Sequence, residues 1–128
     1  MEALGMSTLK VNTIQTSAGV EVFTAKAWVN FNGEGTVAIR DSGNVSSVTD
    51  NATGRYTANL TSAMANSNYE VSGSAGKTST TASQEIIFYG SNVTPASPST
   101  TAVGVKVVNS AGTAIQDATY VTLAVQSN

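Results

Sequence analysis

The 128-residue chain is the size of one domain, has 6 basic and 8 acidic residues for a net charge of −2, and contains neither cysteine nor histidine. Those numbers exclude a disulfide framework, thiolate or imidazole metal centres, nucleophile–histidine catalysis and the basic clusters that neutralise nucleic-acid phosphates. Fifteen valines against four leucines, with 18 Thr, 16 Ser and 11 Asn, favour strands, because β-branched side chains lose less freedom on a pleated surface than in a helix.

In chain order, residues 1–24 stand apart. LKVNTI can form a short strand, but TSAGVEVFTA alternates weakly. The segment reads either as a flexible leader or as an extended arm that orders against something else, with Val20, Val22 and Phe23 apolar enough to dock. The opening residues lack the basic and continuous apolar regions of a signal peptide, so a product made in the cytoplasm is expected. No apolar run approaches the ~18 residues that span a bilayer.

Residues 25–128 read as an all-β domain. KAWVNF puts Ala27, Val29 and Phe31 on one face and the only tryptophan, Trp28, on the other with Lys26 and Asn30. Asn32-Gly33 then predicts a turn, TVAIR pairs Val37 with Ile39, and Ser42-Gly43-Asn44 breaks the run. VSSVT and RYTANL form the arms of a hairpin about Asp50–Gly54, with Tyr56, Ala58 and Leu60 sharing a face. NYEVS is a further strand; Gly73–Ser83 and Thr94–Thr101 are loops long enough to move or to reach a neighbour. EIIFYG places Ile86 and Phe88 opposite Ile87 and Tyr89. TAVGVKVVN and TYVTLAVQ alternate cleanly through Val103, Val105, Val107 and Val121, Leu123, Val125. About eight strands with turn signals between them predict an antiparallel β-sandwich of jelly-roll type.

No catalytic set emerges. Glu34, Asp41, Asp50, Glu70, Glu85 and Asp117 lie almost entirely in turns or on polar strand faces, without a base or pocket to pair with. Gly33-Glu34-Gly35-Thr36-Val37-Ala38 fits GxGxxA but leads into a strand instead of a helix, so it cannot seat a pyrophosphate on a helix N-terminus. Asp50–Gly54 lacks the remaining ligands of a calcium loop. A non-enzymatic protein without cofactor or metal is expected. Surplus apolar surface occurs at Trp28, Ile87 and Tyr89, to be covered either by the chain itself or by a sister subunit.

The stretch KAWVNFNGEGTVAIRDSGNVSSVTDNATGRYTANLTSAM (26–64) resembles a module of tail-fibre and other structural proteins of tailed bacteriophages. Those proteins carry variants of AWVNFNG-x-GT-x-x-I followed by NVSS-[IV]-TDN-x-TG-x-YT-x-N. The matching positions are Ala27 to Gly33, Gly35, Thr36, Ile39, Asn44 to Asn51, Thr53, Gly54, Tyr56, Thr57 and Asn59. STLKVNTIQTSAG (7–19) is similar to openings of such virion proteins, whereas Gly43 departs from the module, where a bulky residue is common. The resemblance implies a homotrimeric virion component with no enzymatic activity, while the charge and hydropathy described above predict no nucleic-acid partner and no membrane insertion. Its arm, through Leu9, Val11, Ile14, Val20, Val22 and Phe23, would attach to other virion proteins. Trp28, Ile87 and Tyr89 would then meet sister subunits, and the two long loops would face a host glycan or protein. A capsid decoration (head fibre) protein is the alternative role, and a free carbohydrate-binding module with an exposed aromatic platform is a weaker one.

Overall fold

The computed structural model describes residues 15, 17–19, 25–78 and 84–127. All six arm positions, Leu9, Val11, Ile14, Val20, Val22 and Phe23, lie outside them. Eight strands follow in order: β1 (Ala25–Asn32), β2 (Ala38–Gly43), β3 (Val45–Ala52), β4 (Arg55–Leu60), β5 (Glu70–Gly76), β6 (Gln84–Phe88), β7 (Ala102–Asn109) and β8 (Tyr120–Gln126). No helix occurs among the described residues.

Antiparallel pairing builds two four-stranded sheets, β2-β1-β8-β5 and β3-β4-β7-β6. Their inner faces carry the alternating apolar residues. Val29, Phe31, Val121 and Val125 of the first sheet are fully buried, as are Tyr56, Val103, Val105 and Val107 of the second. Burying each such side chain stabilises the fold by about 1.5–3 kcal/mol relative to leaving it in water. The architecture is a β-sandwich, but its strand order departs from the expected jelly roll. In a jelly roll the first strand pairs with the last, the second with the seventh, the third with the sixth and the fourth with the fifth. Only β1 with β8 forms, because β1–β2, β3–β4 and β6–β7 fold back as hairpins within a sheet.

Local chemistry also defines one turn and two loops more closely. The Asn32-Gly33 pair does not close a two-residue hairpin; the chain crosses from β1 to β2 over residues 33–37, with Gly35 at φ 63°. Asn32 brackets that crossing, donating from Nδ2 to the Glu34 carbonyl (2.7 Å) and accepting from the Glu34 amide (3.3 Å). Gly73–Gly76, expected in a loop, completes β5 against β8. Thr94–Thr101 is tied down: Leu60 N donates to Thr101 O (2.9 Å), Met64 N to Thr100 O (2.8 Å), and the Thr57 hydroxyl to Thr94 O.

Two clusters hold the sheets together. Phe31 and Tyr56 meet edge to face across the core, centroids 5.1 Å apart at 73°. The Tyr56 hydroxyl stands 2.8 Å from the Gly33 carbonyl and 2.9 Å from Asp117 Oδ1, its single proton serving these two acceptors. Asp117 Oδ1 also accepts the Gly54 amide (2.6 Å), and the Gly33 amide donates to Ala118 O (2.9 Å). A Cβ at position 33 would fall 2.5 Å from the Tyr56 oxygen, so a glycine is what lets the ring reach this corner. At the other end, Asn44 sits at φ 55° where the chain turns from β2 into β3. Its Nδ2 donates to Lys26 O and Ser62 O (3.1 Å each) and its Oδ1 accepts the Ser62 amide (2.7 Å).

Tyr56→Phe leaves Gly33 O and Asp117 short of a donor and should cost about 1–2 kcal/mol in urea unfolding. Burial first, then the Asp117 hydrogen bond, raises the Tyr56 phenol above its ordinary 10.0. The unfolded chain therefore loses this proton more readily than the folded one. The stability it contributes is complete below pH 10.0 and declines as pH rises further. Unfolding midpoints between pH 9 and 11 should fall less in Tyr56→Phe than in the parent. Asn44→Ala removes three hydrogen bonds and places a Cβ-bearing residue with no amide at positive φ. It should cost about 1–3 kcal/mol, of which Asn44→Gly recovers only the backbone part.

Candidate functional site

The carboxylates weighed for catalysis are drawn into the framework where the structure gives them partners. Asp117 serves Tyr56 and Gly54, and Glu34 pairs with Lys77 Nζ (2.8 Å) while accepting the Thr119 hydroxyl (2.6 Å). The Lys77 and Thr119 hydrogen bonds hold the Glu34 carboxyl below its ordinary 4.5. Among the described residues no three His, Cys, Asp or Glu side chains group as metal ligands, and no helix is long and apolar enough to cross a membrane.

The three residues singled out for surplus apolar surface separate. Tyr89 does not share the outer face with Ile87. It follows the end of β6 at φ 66°, which swings its ring back against the core. There its hydroxyl donates to the Tyr69 oxygen (2.9 Å), and Tyr69 donates to Ser99 O (2.7 Å). Burial, then the Tyr69 hydrogen bond, pushes the Tyr89 phenol up. Ile87, 37% exposed, lies on the outer face of the second sheet. Trp28, 39% exposed, lies on the outer face of the first. The two residues face away from each other and cannot belong to one patch.

Trp28 is partly covered by its own chain. It sits opposite Gly43 in the β1–β2 register, and the indole lies so close over that glycine that any Cβ at 43 would collide with Nε1. The ring of the cross-strand neighbour takes the place of a side chain at position 43 and covers the glycine backbone of an edge strand.

The remaining face of the ring opens on a groove of about 530 Å³ across β1, β8 and β5. Cross-strand register explains its composition. Trp28 is level with Ala124 and Ser72, and Asn30 is level with Thr122 and Ser74. Among the described residues no charged side chain lines it. Ser74 and Thr122 share a hydroxyl contact at 2.9 Å. Trp28 Nε1, the Ser72 hydroxyl and Asn30 Nδ2 make no hydrogen bond with the described residues. Arg40 closes one margin, stacked 4.5 Å over the Tyr120 ring and donating to Thr119 O (2.7 Å) and Asn30 Oδ1 (3.3 Å). The sequence reading found Trp28 but missed Ser72, Ser74, Thr122 and Ala124, since alternation shows which face a residue takes and not which strands lie side by side.

The chain matches no protein-family model, no curated protein and no solved structure.

Gly43→Ala should displace the indole, shift the single-tryptophan emission to the red, raise its quenching by acrylamide and cost about 1–3 kcal/mol through overpacking. An unchanged spectrum would refute the contact.

Proposed function

We propose that the chain is a non-enzymatic structural protein of a bacteriophage virion: a small, homotrimeric, tail-fibre-like appendage attached by residues 1–24 and contacting the host surface. The observation that carries this reading is the work done by the residues of the resemblance. Phe31, Gly33, Gly54 and Tyr56 join the sheets at one end, and Asn44 clamps the corner at the other. Asn51 Nδ2 donates to the Thr57 hydroxyl (2.8 Å), and Asn59 Nδ2 to Ser47 and Thr49 (3.0 Å each). A signature spent on turns, corners and cross-strand amide contacts belongs to a rigid scaffold, whereas an enzyme would spend one on a cleft.

Sparse charge supports the same reading, since only 11% of residues are charged and a subunit contact would bury few of them. With Tyr89 turned inward, the sister-subunit contact is assigned to the Ile87 face, and the opposite face is left for contact outside the trimer.

Purified protein should have a solution mass of three times the 13.0 kDa chain; a monomer at micromolar concentration rejects the trimer. Mass spectrometry of gradient-purified particles should detect the chain, and its absence rejects the virion role. Antibody labelling in electron micrographs should fall on the tail; labelling of the head would favour the decoration role.

A further inference from the structure

We propose that the groove beside Trp28 is a binding site for a neutral glycan, one sugar ring stacking on the indole and its hydroxyls reaching the Asn30, Ser72, Ser74 and Thr122 side chains. This deepens the host-contact part of the proposed function and rests on it only for its biological setting.

Three features of the groove point to that chemistry. Its wall is an aromatic ring that is positioned and yet uncovered: Gly43 seats one side of the indole, and 39% of the residue remains exposed to the groove and solvent. A pyranose presents a patch of C–H bonds that carries slight positive charge and suits the negative face of an aromatic ring. The floor and far wall are short side chains on paired strands, Ala124 level with Ser72 and Thr122 level with Ser74. These lose little rotamer freedom on binding, and sheet hydrogen bonds already hold their backbones. Finally, donors are free with no charge among the described lining residues. Asn30 Nδ2 and the Ser72 hydroxyl have no partners among the described residues, and sugar hydroxyls both give and accept hydrogen bonds.

A second copy of the chain is the competing occupant. The core of a protein interface is apolar and close-packed, and this floor of hydroxyls would need a partner atom for each. A sugar supplies such atoms around its whole rim. An acidic glycan would call for a free cation in the lining, but Arg40 at the margin is already engaged by Tyr120, Thr119 and Asn30, and Lys26, two residues from Trp28, lines a different pocket.

Trp28 is the only tryptophan, so emission excited at wavelengths that tyrosine does not absorb reads this groove alone. The probes are the methyl glycosides and trisaccharides of glucose, galactose, mannose and N-acetylglucosamine, with uronic-acid and sialic-acid trisaccharides as the acidic arm. At least one neutral probe should give a saturable change with a Kd of about 1 mM, the range for a shallow open site. Asn30→Ala should weaken it about tenfold, the loss of one good hydrogen bond. Ala124→Arg should abolish it without moving the thermal unfolding midpoint; if that variant misfolds, Ser72→Gln blocks the same floor. No saturable response to any neutral probe overturns the proposal. So does a response confined to acidic sugars, or emission that follows protein concentration and ignores sugar, which would show a sister copy in the groove. Sugar binding by a chain absent from particles would keep the groove and remove the virion role; a chain present in particles but silent to sugar would do the reverse.

Discussion

The edge-to-face contact of Phe31 with Tyr56 is the interaction on which the rest of the fold depends. It is where the two sheets touch through their largest buried side chains, and the Tyr56 hydroxyl extends it into the connections at that end. Through Gly33 it sets the exit of β1; through Asp117 it fixes the approach to β8 and the tight turn at Gly54. A phenol offers a rare combination for this purpose, a ring for the core and one polar atom for the rim. Valine, which fills most of the remaining core positions, supplies apolar bulk but no polar atom.

The two outer faces of the sandwich differ, and the difference has a physical origin. The second sheet is partly roofed by its own chain. Residues 89–101 cross it, with Val93 and Pro95 packed so tightly over Gly104 that no side chain would fit, and Lys106 holds Ser91 O at 3.1 Å. The loop after β7 covers Val108 through its bridge to Ile115. Among the described residues none roofs β1, β8 and β5 of the first sheet in this way, and its small side chains leave the concavity beside Trp28. In a chain with few charges, that face owes its hydration to amides and hydroxyls, the same groups that recognise sugars.

Much of the inner face was legible from alternation alone. Val121, Leu123 and Val125, and likewise Val103, Val105 and Val107, are buried as the period of two predicts, and Trp28 emerges on the side opposite Val29 and Phe31. Other features depend on contacts between distant parts of the chain, and periodicity carries no information about those. Gly73–Gly76 looks like a loop because small residues have weak strand preference, yet seven paired positions along β8 hold β5 in place. Tyr89 follows an alternating run but takes a positive φ, since the hydroxyl of Tyr69, 20 residues away in sequence, draws it inward. The jelly-roll order fails for a related reason: hairpin pairing of neighbours displaces the longer-range pairings. The groove depends on β1 and β5 flanking β8, and that arrangement is visible only once the sheet is assembled.

The pairing of β1 with β8 has a mechanical consequence. Ala25 lies beside Gln126, so the chain enters and leaves the sandwich at the same point on the first sheet. Whatever the domain is joined to, it hangs as a pendant and does not serve as an in-line link. Tension applied through both ends would peel β1 from β8 one hydrogen bond at a time, the weak direction of an antiparallel pair. Tension applied through one end against a ligand held on the first sheet would load several strands in shear at once. A domain of this shape resists pulling best when it is tethered at a single end and gripped by its face.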